Sequence, residues 1–137
     1  MYQKIKTFAE IKEIVEKARK DNKKVVFTNG VFDLVHIGHT RYLEKAKMLG
    51  DILIIGINSD SSVKEYKCEK KPIIPENERA EILSSIRYVD YVFLFDDVNI
   101  SAILNKLKPE IWCKGGDYEL NKLNKSEKEM VENYGEK

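Results

Sequence analysis

Two rhythms of apolar residues run along this chain. From Thr7 to Asp21 they fall at helical spacing. Phe8, Ile11, Ile14, Val15 and Ala18 share one face, and Thr7 and Glu10 form a T-x-x-E capping box. The pattern predicts a helix over about 7–21, ended by Asp21-Asn22. Unalternated apolar runs of strand length follow: "VVFTNG" (25–30), "ILIIGIN" (52–58), "YVFLF" (91–95) and "IWCK" (111–114). Such runs, rich in β-branched residues, suit strands covered on both faces of a parallel sheet. Helical patterns separate them. "TRYLEKAKML" stops at Gly50, "NERAEILSSIRYV" opens just after Pro75, "NISAILNKLK" is closed by Pro109, and "NKSEKEMVENY" ends at Gly135.

Four alternations of strand and helix imply an α/β fold, a single Rossmann-like doubly wound parallel sheet. No repeat, low-complexity tract or linker interrupts it, so one domain over residues 1–137 is expected. The segment "NSDSSVKEYKCEKKPIIPE" (58–76) breaks the rhythm, being long, polar and rich in lysine at Lys64, Lys67, Lys70 and Lys71. Connections of this length are uncommon in compact domains and often functional, although a solvated loop has the same composition.

Composition narrows the classes. A chain of 137 residues, 42% hydrophobic and 34% charged, can bury a core and lies far from the disordered regime. Its 24 basic and 23 acidic residues nearly cancel, so no global field draws it to nucleic acid or to a membrane surface. Bound phosphate would need local positive charge. Cys68 and Cys113 are too few for a disulfide framework and read as small buried hydrophobes. The absence of a signal-like apolar core or a stretch of about 18 apolar residues makes a cytoplasmic location the default expectation.

Both histidines fall in "TNGVFDLVHIGHTRYLEKA" (28–46), at the junction of the first strand and the next helix. Ligands in doubly wound sheets bind beyond the carboxyl ends of strands. Gly30 lets the chain turn there, Gly38 permits close backbone approach, and helix-start amides with the positive dipole end form an anion site. His36 and His39, spaced i, i+3, would add two donors beside an oxyanion. No G-x-x-x-x-G-K-[ST] or G-x-G-x-x-G motif is present, so neither a P-loop nor an ordinary dinucleotide site is expected. No third ligand accompanies the histidines for zinc, and no G-x-S-x-G elbow suggests a hydrolase.

"GVFDLVHIGH" resembles the G-x-F-D-x-x-H-x-G-H motif of the cytidylyltransferase-like nucleotidyltransferases, relatives of the class I aminoacyl-tRNA synthetases. "INSDSSVK", "PIIPENERAEILSSIRYVDYV" and "KGGDY" extend the likeness to the adenylyltransferase domain of bacterial ADP-heptose synthesis, up to about Gly135. That resemblance implies attack by a sugar 1-phosphate, D-glycero-β-D-manno-heptose 1-phosphate, on the α-phosphorus of ATP, with pyrophosphate leaving. His36 and His39 are the implied phosphate donors, joined by the loop lysine Lys67 or its neighbour Lys64. Thr28, Asn29, Val31 and Phe32 would line the nucleotide pocket together with Gly38. Arg87, Lys114, Gly115 and Asp117 are the further nucleotide-side residues, with Gly116 also permitting close approach. Asp33 is read either as a substrate hydroxyl acceptor or as a turn residue, and Arg79 either as substrate-side or as a solvated helix arginine. Tyr118 and Trp112 are core, rim or base-stacking aromatics. Mg²⁺ is expected to accompany the triphosphate on phosphate oxygens and water, with no metal site of the protein's own.

The match has departures. Val31 stands where the family commonly has cysteine, and Lys67-Cys68-Glu69-Lys70-Lys71-Pro72 replaces a K-G-x-x-R-P loop. The family also continues into another strand and an S-T-T turn that contacts the nucleotide, whereas this sequence stops at Gly135-Glu136-Lys137. Three other readings stay open: CTP-dependent transfer to a glycerol 3-phosphate type of acceptor, a non-catalytic nucleotide-binding module, and a flavin-binding electron carrier. The last lacks the Ser/Thr-rich phosphate cradle in its first loop. A homodimer is implied by resemblance alone.

Overall fold

The computed structural model describes residues 2–62, 73–96 and 100–113. Helix α1 spans Phe8–Lys20 and opens with the expected reciprocal cap: the Thr7 hydroxyl accepts from Glu10 N, and the Glu10 carboxylate accepts from Thr7 N. Those hydrogen bonds hold the Glu10 carboxyl below the ordinary carboxylate range. A lowered folded-state pKa makes this stabilisation complete above the unfolded value and lost as pH falls through the folded one.

Strand β1 is Val25–Gly30, β2 Ile52–Asn58, β3 Tyr91–Phe95 and β4 Ile111–Cys113. Helices α2 (Ile37–Lys47), α3 (Glu76–Ser84) and α4 (Ser101–Leu107) separate them. Lys114 and the helix expected after it lie outside the described residues. Two helix bounds differ from the apolar pattern. Helix α2 starts at Ile37 rather than Thr40 because His36 caps it. Helix α3 ends at Ser84 rather than Val89, where the hydroxyls of Ser84 and Ser85 donate to the carbonyls of Glu81 and Ile82 and compete with helix continuation.

Among the described residues the four strands are parallel, in the order β3-β2-β1-β4. Phe27 pairs with Ile54 on one side and Trp112 on the other, while Gly56 pairs with Asn29 and Phe93. Alternate residues feed two cores. Phe27, Ile54, Phe93 and Trp112 pack with Ile11 and Val15 of α1 and Leu104 of α4. Val26, Leu53, Ile55 and Val92 pack with Leu43 of α2 and Leu83 of α3. This two-sided burial explains why the strand runs show no polar alternation. The outer edge of β3 is met by Ile5, which bridges to Val92, while Lys6 N donates to the Val92 carbonyl.

The order positions the site. β2 and β3 lie on one side of β1 and β4 on the other, so the helices leaving β1 and β3 cover opposite faces. The topological switch point therefore falls between the carboxyl ends of β1 and β4.

Helix α4 ends on Lys108 in a left-handed conformation, φ 49°, where glycine is the unstrained residue. Arg19 Nη2 donates to the carbonyls of Leu107 and Lys108, contacts that survive loss of the lysine side chain. Lys108→Gly is expected to stabilise the fold by about 0.5–1 kcal/mol, read as a higher urea midpoint at unchanged slope.

Candidate active site

Beyond Gly30 the chain needs six residues, 31–36, to turn from β1 into α2. Phe32 takes a left-handed conformation, φ 53°, which is costly for an aromatic residue and characteristic of functional turns. Its buried ring lies over Gly30, where an added Cβ would come within 3.1 Å of Phe32 Cε2, and 5.7 Å from the His39 ring centre.

The two histidines form a reciprocal cap. Gly38 N donates to His36 Nδ1 at 3.0 Å, and His36 N donates to His39 Nδ1 at 3.2 Å. A neutral imidazole that accepts through Nδ1 carries its proton on Nε2. The backbone thus assigns both tautomers and leaves each ring an Nε2–H donor. The ring centres are 4.2 Å apart and tilted by 52°, so the two imidazoles are neighbours although His36 itself is extended rather than helical. This changes the anion-site expectation. Three amides of the first turn of α2 already bond to His36, Gly38 N to the ring and His39 N and Thr40 N to its carbonyl. Imidazole N–H groups, supported by the helix dipole, therefore join the amide of Ile37 as the donors that this end can offer.

Gly38 is required by proximity: a Cβ there would lie 2.8 Å from His36 Cε1 and 3.0 Å from Nδ1. Gly38→Ala is expected to push the His36 ring aside while the fold stays intact. The displaced ring is expected to show as a shifted His36 imidazole signal in proton–nitrogen spectra, with an unchanged circular dichroism spectrum.

The remaining candidates divide. Thr28 is fully buried; its hydroxyl donates to the Cys113 carbonyl and shares a 2.6 Å hydrogen bond with the Tyr42 hydroxyl. Asn29 Oδ1 accepts from the indole N–H of Trp112, a core residue, and so ties β1 to β4. Both side chains brace the floor of the switch point. The Asp33 carboxylate accepts from the backbone N–H groups of Ile73 and Ile74, a turn role reaching forty residues along the chain. Burial holds the Cys113 thiol above its ordinary pKa, so it stays protonated near neutrality.

Two expectations are corrected. Arg79 does not reach toward substrate, nor is it solvated: it is 0% exposed. Its guanidinium donates to the carbonyls of Ile74, Val31 and Asn58 and to Asp60 Oδ1, as a buried cation must. Arg87 precedes the first residue of β3 and donates to the Tyr88 hydroxyl, which in turn donates to Glu44 in the later half of α2. Within one chain that places it at the amino ends of the strands, opposite the histidines, because α2 and α3 run back against the sheet. Asp60, Asn58 and Tyr42 take part in this architecture without having been singled out in the sequence. The available signal is Arg79 itself, a basic residue beside Ala80 on the buried side of α3. Lys64, Lys67, Lys114, Gly115 and Asp117 lie outside the described residues, as do Gly116 and Tyr118. Among the described residues, no group of three or more His, Cys, Asp or Glu is gathered for a metal ion, and no helix is long and apolar enough to cross a membrane.

The model of the family described as cytidylyltransferase-like matches residues 27–137, from the middle of β1 onward. The chain belongs to the cytidylyltransferase-like family. As a member of this nucleotidyltransferase family it is 46% identical over 132 residues to the bifunctional protein HldE of Geobacter metallireducens, covering 96% of this chain and 26% of that protein. It is 49% identical over 115 residues to the HldE protein of Aliarcobacter butzleri, covering 84% and 24%. The chain thus spans about a quarter of the length of these curated relatives. Among solved structures it is similar to a lipopolysaccharide core biosynthesis protein of Thermoplasma volcanium, with 31% identity and a TM-score of 0.69 over 82% of this chain and 89% of that one. Pantoate-beta-alanine ligase from Francisella tularensis shares the fold at 19% identity, with a TM-score of 0.64 over 96% of this chain and 62% of that one.

Proposed function

We propose that this nucleotidyltransferase chain joins a nucleoside triphosphate to a sugar 1-phosphate, the favoured pair being ATP and a heptose 1-phosphate. The observation that supports this is the pair of adjacent imidazoles whose Nδ1 atoms are committed to the backbone and whose Nε2–H groups are therefore donors at the carboxyl end of β1. Chemistry of this kind needs no covalent enzyme intermediate. An oxygen of the sugar phosphate attacks the α-phosphorus in line, the bond to the bridging oxygen breaks, and pyrophosphate departs with the electron pair. The two donors neutralise charge that builds on the α-phosphoryl oxygens, a contribution preorganised before substrate arrives.

Mg²⁺ enters in this reading as part of the nucleotide substrate. It is proposed to be held by phosphate oxygens and water rather than by a dedicated protein site. Lys67, Lys64 and Lys114 are proposed on the phosphates, with Gly115 and Asp117 beside the nucleotide and the main chain of Val31 and Phe32 along the pocket wall. Residues 1–137 are proposed to act as one domain, in the cytoplasm.

The sugar acceptor is supported by the lipopolysaccharide core biosynthesis protein among the structural relatives, whereas the family's description favours CTP. Pyrophosphate release measured with ATP and CTP, against heptose 1-phosphate and glycerol 3-phosphate, separates the readings. Turnover with ATP and the heptose supports the first. Turnover confined to CTP and glycerol 3-phosphate replaces it, and calorimetric nucleotide binding without any pyrophosphate release marks a binding module.

A further inference from the structure

Three stretches that border the carboxyl ends of the strands converge on one side chain. Arg79, in the opening turns of α3, donates Nη1 to the Val31 carbonyl at 2.7 Å and to the Asn58 carbonyl at 2.8 Å. Nε donates to the Ile74 carbonyl at 2.9 Å and Nη2 to Asp60 Oδ1 at 2.7 Å. Val31 belongs to the turn that leads to His36, Asn58 ends β2, and Asp60 and Ile74 flank residues 63–72 on either side.

Asp33 supplies the opposite charge to the same seam. Its carboxylate accepts from Ile73 N at 2.8–2.9 Å and from Ile74 N at 2.8 Å. Ile74 is therefore held through its N–H by Asp33 and through its carbonyl by Arg79. Residues 31–33 are held to 73–74 by an anion acting on amides and a cation acting on carbonyls. His36 follows Asp33 by three residues, so the seam sets where the reciprocal imidazole cap begins.

A buried ion pair is weak evidence for stability in itself, since a well-packed apolar side chain often does as well. Three of the four acceptors are main-chain carbonyls from separate segments, and Asp60 keeps 34% of its side chain exposed. The planar fork of a guanidinium can hold such divergent acceptors at once. A lysine ammonium would keep the charge but not that geometry.

We propose that Arg79 is a positioning residue, which holds the histidine turn in register with both flanks of residues 63–72 without touching substrate. This rests on the nucleotidyl-transfer reading for its activity arm only. Arg79→Lys is the test. Turnover in pyrophosphate release is expected to fall ten- to a hundredfold, with KM for the nucleotide changed less than threefold, because the donors are misplaced rather than removed. Long-range proton–nitrogen spectra of the imidazoles supply an arm independent of activity. The wild-type chain shows both rings as Nε2–H tautomers, and Arg79→Lys shows one or both averaged between tautomers. Wild-type turnover together with wild-type imidazole spectra in Arg79→Lys would overturn the proposal and leave Arg79 a core filler. Should Arg79→Lys fail to fold, Asp60→Asn removes the charged partner of Nη2 at constant volume. A change of the imidazole signals in the same direction supports the proposal, and unchanged signals overturn it. A wild-type chain that releases no pyrophosphate with any substrate pair instead refutes the functional reading, and the spectra still decide the positioning role.

Discussion

Replacing His39 with alanine is expected to lower nucleotidyl transfer by at least about a hundredfold while leaving the fold in place. The size follows from the loss of one preorganised donor at an oxyanion, which typically costs two to three orders of magnitude in rate, about 2.7–4 kcal/mol. His39 has a second duty, since its Nδ1 accepts the backbone N–H of His36 at the start of α2. Losing that cap should cost about 1 kcal/mol of stability, too little to unfold an ordinary domain. His39→Gln separates the two duties. A glutamine at this helix position can accept the same N–H as in an ordinary capping box, so stability returns. Rate returns only in part, because the amide keeps an N–H donor but carries it on a longer, flexible stem that does not hold it where the rigid imidazole holds Nε2–H. Pyrophosphate release and urea unfolding of both variants check this, and near-normal turnover in His39→Ala would show that the imidazole pair is not the catalytic centre.

The largest loss of stability is expected from Arg79→Met. Methionine matches the apolar stem but lacks the guanidinium head, so the effect combines lost hydrogen bonds with a small void at a fully buried site. The substitution removes the donor to Val31, Asn58 and Ile74 and the partner of Asp60. Removing one partner of a buried pair typically costs about 3–5 kcal/mol, and each orphaned buried carbonyl adds to it. Partial exposure of Asp60 reduces its own share, so most of the loss comes from the carbonyls. Domains of this size hold about 5–15 kcal/mol in all, so the variant should unfold at a much lower urea concentration. A midpoint within experimental scatter of the wild type would show that the carbonyls find other partners.

Much of this chain could be read from local signals. The T-x-x-E cap of α1, the four strand runs and the glycine-containing turn before α2 each depend on residues within a few positions of one another. What misled was also physical. His36 is not among the usual capping residues, so the pattern of α2 starts three residues late. Arg79 and Arg87, eight residues apart near α3, look alike in sequence because both sit in a helical pattern with charged neighbours. Burial separates them: one is sealed under the carboxyl ends of the strands, and the other is exposed at their amino ends.

The sequence by itself determined the parallel α/β architecture and the location of the imidazole pair, because continuous apolar runs and a strand-to-helix glycine turn admit few other folds. Tertiary structure alone decided which nitrogen of each ring accepts from the backbone, since that depends on which backbone N–H meets Nδ1 in three dimensions. It also decided that Asp33 and Arg79 join forces across the turn. Their partners lie between five and forty-eight positions away, and nothing in local spacing specifies a contact made only when β1, β2 and the start of α3 have packed together.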